Sequence, residues 1–256
     1  IIHNPTVVND LKERGVRVIS SPDEALEGER VVIRSHGAGA DVYRRLEELG
    51  IGYSDGTCPF VRRIQKIAEE CSQKGMTVVI MGDSTHPEVI GIAGHCTGNA
   101  VILPDDKALS EFLKKFWMTM NEQPKIWQTK FLKKNFENPQ KKVAIMPQTT
   151  YNISMWQKCR EEASLYEGGV FFDTICSATE KRQKEAELLA AESDIMIVIG
   201  GRHSSNTVKL FRICSGLCGV CFHVEGPEEI PLLKMPEGFS YKSDFSFCPK
   251  CGTRRI

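Results

Sequence analysis

Laid on itself at an offset of 118 residues, the separation of Cys58 and Cys176, this chain matches without a gap. Gln65-Lys66 falls on Gln183-Lys184, Ala68-Glu69 on Ala186-Glu187 and Gly82 on Gly200. The strand-like TVVIMG falls on IMIVIG, and His86-Pro87-Glu88 falls on Ser204-Ser205-Asn206. One unit therefore occurs at least twice: a cysteine opening a helix, then a strand, then a polar loop. Short β-branched runs expected as strands lie at 16–20, 30–34, 77–82, 100–103, 142–146, 169–174, 194–200 and 219–224. Segments with helical spacing fall between them at 42–49, 60–74, 107–116, 154–166, 178–192 and 207–213. Strand, helix, strand, repeated, predicts an α/β fold of mainly parallel sheets covered by helices. Function in such folds gathers in loops leaving the C-terminal ends of strands.

Those loops carry the unusual residues. RSHGAG supplies His36, MGDSTHPE supplies His86 and Glu88, MPQTTYN supplies Gln148, Thr149 and Thr150, and GGRHSSN supplies Ser204, Ser205 and Asn206. A cysteine at a helix start has its thiolate favoured by the helix dipole, as a metal ligand requires. Equivalent positions for Cys58 and Cys176 then point to one shared centre. Ten cysteines in 256 residues need not be disulfides, because a chain this long can bury its own core. If His3 of the opening IIHNP is placed on His86, a third equivalent cysteine falls about 25 residues before Ile1, so the chain is expected to lack one copy's cysteine. Basic and acidic residues balance at 33 each, which gives no global pull toward nucleic acid or acidic lipid. No apolar run approaches the roughly 18 residues of a membrane span, and the opening has no basic-then-apolar leader. The expectation is a cytoplasmic protein.

In order and spacing, IIHNPTVV, RSHGAG, DGTCPFVRRIQ, MGDSTHPEVIGIAGHCTG, MPQTTYN, DTICSATEKRQ and GGRHSSNT resemble the motifs of the 4-hydroxy-3-methylbut-2-enyl diphosphate reductase family, IspH/LytB. The resemblance implies three pseudo-repeated α/β domains in a trefoil around a central [4Fe–4S] cluster, here 1–57, 58–175 and 176–256. It implies reductive removal of the C4 hydroxyl of the allylic diphosphate, with electrons from a ferredoxin or flavodoxin. By the same resemblance Cys58 and Cys176 would ligate iron. His3, His36, His86, Ser204, Ser205 and Asn206 would hold the diphosphate, and Glu88, aided by Thr149 or Thr150, would carry a proton to the leaving hydroxyl. A carboxylate beside an anionic substrate should have a raised pKa, which suits a general acid.

The sequence departs from the family in two places. Its leading Gly-Phe-Cys segment and its final TAGAS-type loop are absent, which leaves open an inactive or truncated member. In place of that loop stands FSYKSDFSFCPKCGTRRI, whose Cys248 and Cys251 could form a zinc ribbon with Cys218 and Cys221. The opposing reading makes Cys218 and Cys221 core residues, as expected for Cys71 and Cys159 in amphipathic helices. Cys96, after His95, is not expected to replace a ligand, because its repeat equivalent Cys214 belongs to a helix. A lysine-rich stretch near 116–140, with Trp117 and Trp127 among its aromatics, reads as an insertion with a solvated face or a docking surface for an acidic electron donor.

Overall fold

The computed structural model describes residues 5–98, 100–121, 142–166, 168–232 and 234, together with 246–247 and 254–255. His3, Cys248, Cys251 and most of the lysine-rich stretch lie outside the described residues. The chain begins with helix α1 (Pro5–Glu13) and strand β1 (Val31–Ile33), continuing through α2 (Ala40–Glu48) to β2 (Tyr53–Asp55). Next come α3 (Pro59–Gln73), β3 (Thr77–Met81), α4 (Pro87–Ala93), β4 (Ala100–Leu103) and α5 (Asp106–Asn121). After these follow β5 (Val143–Pro147), α6 (Ile153–Ala163), β6 (Gly169–Phe171) and α7 (Ser177–Glu192). The order closes with β7 (Ile195–Ile199), α8 (Ser205–Leu217), β8 (Val220–Val224) and a short antiparallel pair, β9 (Ser246–Phe247) and β10 (Arg254–Arg255).

Among the described residues three parallel sheets result. β1 pairs with β2, β7 with β8, and the largest has the order β4-β3-β5-β6. Side chains alternate across the large sheet because a strand's period is two. Val79, Met81, Val143 and Ile145 meet Leu109, Leu113 and Trp156 on one face. Val78, Ile80, Ala144 and Met146 meet Ile64, Ala68 and Ile92 on the other. Burial on both faces explains why β3 and β5 read as continuous apolar runs. A separate cluster of Ala190, Val198, Cys214 and Cys218 supports β7 and β8.

The repeat is visible in the elements themselves. Cys58 and Cys176 are the N-caps of α3 and α7, and His86 and Ser204 those of α4 and α8. The Cys96 thiol lies 3.9 Å from the Ala68 carbonyl, and its counterpart Cys214 lies 3.9 Å from that of Ala186. Gly75, at φ +74, ends α3 by donating to Ser72 while Met76 donates to Cys71. That left-handed stop is one glycine adopts at little cost.

Some expectations are corrected. The segment 16–20 is not a strand: Val16 and Val18 are 48% and 66% exposed, and Arg17 instead grips Glu29 at 2.7 and 3.1 Å. The partner of β1 is the polar β2, which has no β-branched alternation to announce it. α5 runs through residues assigned to an insertion as far as Asn121, and α1 and α4 are helices that the apolar spacing did not reveal.

Candidate functional site

His36 follows β1, His86 and Glu88 follow β3, Gln148 to Thr150 follow β5, and Ser204 to Asn206 follow β7, all at the C-terminal ends of parallel strands. The rings of His36 and His86 meet edge to face, centroids 5.4 Å apart. His86 Nδ1 accepts from the Glu88 amide at 3.2 Å, which places the ring proton on Nε2. Glu88 is buried, with one carboxylate oxygen accepting from Thr149 N at 2.6 Å and the other from Thr149 Oγ1 at 2.8 Å. Burial raises its pKa against the pull of those two donors and of the Lys209 charge.

The adjacent residue does something else. Thr150 Oγ1 lies 3.1 Å from Ser205 Oγ, and Gln148 Nε2 donates to Thr150 at 2.9 Å and to Ser205 at 3.3 Å. Gln148 Oε1 accepts from Asp83 N at 3.1 Å. This contact explains the glycine at 82, where a Cβ would stand 2.7 Å from Gln148 Oε1. Ser204 caps α8 by accepting from Thr207 N at 3.4 Å. The amide oxygen of Asn206 is buried without a hydrogen-bond partner. Turned by half a rotation, the amide would present N–H at the same place.

Each repeat cysteine ties its helix to the loop after the strand that pairs with the one preceding it, β1 beside β2 for Cys58 and β5 beside β6 for Cys176. Cys58 N donates to Ser35 O and Cys176 N donates to Thr149 O, each at 3.0 Å. Seven residues on, Gln65 donates to Ala38 O at 3.4 Å and Gln183 to Tyr151 O at 3.0 Å. The repeat thus places the two cysteines beside the loops bearing His36 and Thr149.

Both cysteines are half-buried free thiols. Cys176 Sγ accepts from Thr179 N at 3.3 Å and lies 3.0 Å from Thr179 Oγ1. Burial pushes the thiols of Cys96, Cys159 and Cys221 up to about 11, and those of Cys71 and Cys214 upward, which suits packing. Cys218 Sγ lies 3.2 Å from the carbonyls of Ser193 and Val220, and the other two cysteines of the zinc-ribbon reading, Cys248 and Cys251, lie outside the described residues. The donor chemistry of Cys58 and Cys176 fits two iron positions of a cluster. Among the described residues, no group of three or more His, Cys, Asp and Glu side chains gathers to hold a metal ion. No described helix is long and apolar enough to cross a membrane.

Lys209 is the residue that sequence reasoning missed. Its Nζ stands 5.6 Å from the centroid of the Tyr151 ring, and it lines a cavity of about 1100 Å³ with His86, Gln148 and Ser205. Its signal was faint: Ser205, Lys209 and Arg212 repeat at helical spacing, a pattern that usually marks a solvated face.

The model of the LytB protein family matches residues 1–243. The chain is 41% identical over 233 residues to a 4-hydroxy-3-methylbut-2-enyl diphosphate reductase of Caldanaerobacter subterraneus subsp. tengcongensis, covering 90% of this chain and 72% of that protein. It is 36% identical to one of Clostridium perfringens, covering 90% and 73%. A solved structure described as (E)-4-hydroxy-3-methyl-but-2-enyl diphosphate reductase, the terminal enzyme of the non-mevalonate pathway, matches with a TM-score of 0.58 at 34% identity, covering 90% and 74%. The Plasmodium falciparum E-1-hydroxy-2-methyl-but-2-enyl-4-diphosphate reductase shares the fold, with a TM-score of 0.72 at 20% identity and coverage of 90% and 66%.

Proposed function

The chain belongs to the LytB family, and on that premise we propose that it reductively removes the C4 hydroxyl of 4-hydroxy-3-methylbut-2-enyl diphosphate. Two electrons and two protons enter, the C4–O bond breaks, water leaves, and isopentenyl and dimethylallyl diphosphate form. One observation carries the reading: a buried carboxyl, Glu88, two residues along from His86, accepts hydrogen bonds from both the amide and the hydroxyl of Thr149, and the His86 ring accepts from the Glu88 amide and meets that of His36.

In this assignment the diphosphate binds to His3, His36, His86, Ser204, Ser205 and Asn206. With its proton on Nε2, His86 is a donor, and the Asn206 amide has capacity that no protein group uses. Hydroxyl, amide and imidazole donors suit phosphate oxygens where water is excluded. Glu88 is the acid: its raised pKa keeps a proton available, and Thr149 fixes the carboxyl so that the proton leaves toward the hydroxyl. Thr150 positions Ser205.

The cofactor is assigned as a [4Fe–4S] cluster with Cys58 and Cys176 each holding an iron. When bound, such a cluster supplies electrons and a Lewis-acidic iron for the leaving oxygen. A reduced ferredoxin or flavodoxin in the cytoplasm is the assigned electron source. Anaerobic reconstitution of the protein carrying this chain with iron and sulfide, followed by assay with reduced methyl viologen, tests the proposal. Formation of both isomeric diphosphates is expected, and a loaded cluster without turnover overturns it.

A further inference from the structure

The two repeat cysteines occupy equivalent helix starts with different donors around them. Cys176 turns its side chain back over the first turn of α7, where Sγ accepts from Thr179 N at 3.3 Å and lies 3.0 Å from Thr179 Oγ1. Thr179 is buried, and among the described residues its hydroxyl has no other hydrogen-bond partner. Cys58, by contrast, makes no side-chain cap bond at the start of α3. The sequence accounts for the difference. At the 118-residue offset Thr179 falls on Val61, which is also buried and has nearly the same shape but no donor. Ser177 falls on Pro59, which has no N–H to offer the sulfur before it.

We propose that Thr179 is a positioning residue for the Cys176 sulfur: its hydroxyl donates to that sulfur in the iron-bound protein and raises the potential at which an electron is taken up. The proposal rests on the assignment of Cys58 and Cys176 as iron ligands. In the free thiol either atom can donate across the 3.0 Å contact. A metal-bound sulfur carries no proton, so there only the hydroxyl can. A hydrogen bond to a ligating sulfur draws electron density from it, stabilises the reduced and more negative state, and so raises the reduction potential. Burial of Thr179 strengthens the effect, because water does not compete for the hydroxyl. With valine in the equivalent place, the iron held by Cys58 lacks this bond, so two positions related by the repeat are electronically unequal.

The test reads the potential. The protein carrying this chain is loaded anaerobically with iron and sulfide and titrated with dithionite and mediator dyes, followed by electron paramagnetic resonance, in wild type, Thr179→Val, Thr179→Ala and Thr179→Ser. In that one-electron reduction no bond breaks and the hydroxyl keeps its proton. Thr179→Val keeps the shape and removes the donor, so its midpoint should fall by at least about threefold in the reduction constant, and Thr179→Ala should fall with it. Thr179→Ser keeps the hydroxyl and should stay within about twofold of wild type. A midpoint unmoved or raised in iron-loaded Thr179→Val or Thr179→Ala overturns the proposal. So does a fall in Thr179→Ser as large as that in Thr179→Val, which would show packing and not the hydroxyl at work. Iron lost from Thr179→Val and Thr179→Ala but kept by Thr179→Ser would support the hydrogen bond through binding, and iron lost from all three overturns it. Full iron content in Cys176→Ser would remove the ligand assignment itself. An unmoved potential in Thr179→Val beside iron lost from Cys176→Ser would remove the role of Thr179 alone.

Discussion

Glu88 and Thr149 are 61 positions apart in the chain, yet one residue supplies both donors to the other's carboxylate. Replacing Glu88 with Gln keeps an acceptor for the Thr149 amide, and the Thr149 hydroxyl can turn to accept from the new N–H. The fold and substrate binding should survive while kcat falls by about 10²- to 10⁴-fold, the usual range for a lost general acid. Steady-state assay with circular dichroism as the folding control checks this. Stability should change as well. Because burial raises the folded-state pKa of Glu88, the folded protein binds more protons there than the unfolded chain, so this site's contribution to stability falls as pH rises above the ordinary value of 4.5. Glu88→Gln should lack that fall, and denaturant titrations from pH 4 to pH 8 should show wild type losing stability relative to the variant. The opposite trend would mean that the Thr149 donors outweigh burial. The carboxyl and the threonines were legible as residue types in the sequence, but not which hydroxyl meets the acid. Thr149 and Thr150 are adjacent, and only the turn leaving β5 decides that one faces Glu88 and the other Ser205.

The equivalent elements α3 and α7 carry a sharper prediction, because the same helix start holds Cys58 in one and Cys176 in the other. Cys58→Ser and Cys176→Ser should each lower bound iron by half or more in the protein carrying this chain. Cys71→Ala, Cys96→Ala and Cys159→Ala should keep iron and lose stability by roughly 1 kcal/mol through small cavities. Iron and sulfide analysis beside denaturant midpoints separates the two groups. Retention of iron on changing Cys58, with loss on changing Cys71, would reverse the assignment. These helices were legible because apolar spacing and a repeated cysteine mark them twice over. The large sheet was legible because its central strands are buried on both faces and so are apolar throughout. The polar β2 and the misread segment at 16–20 fail for one physical reason: strand formation depends on a neighbour to pair with, and composition reports propensity without the neighbour. Lys209 escaped for a similar reason, since its meaning comes from Tyr151 on another element.

At the scale of the molecule, the site depends on loops of separate sheets being held together. The first and second sheets meet at two glycines: Ala40 N, just after Gly39, donates to Gly94 O at 3.2 Å, and a Cβ on Gly94 would stand 2.8 Å from the Gly39 Cα. That neighbour is backbone, so it cannot move aside as a side-chain tip could. The same seam is held at Ala38 O, just after the left-handed Gly37, by His95 Nε2 at 3.1 Å and by the Gln65 amide donating at 3.4 Å. Gly94→Ala should therefore force the α2 start away from the α4 end and separate His36 from His86 while leaving Glu88, in the first turn of α4, and Thr149, in the loop after β5, joined to each other. Overpacking of this kind costs about 1–3 kcal/mol, so a lower denaturation midpoint is expected. On the proposed roles, the kinetic signature should be a rise in KM for the diphosphate larger than the fall in kcat, because the imidazole assigned to the phosphate moves and the carboxyl assigned as acid does not. A variant with unchanged KM and a collapsed kcat would show that the seam serves the acid and not the imidazole pair.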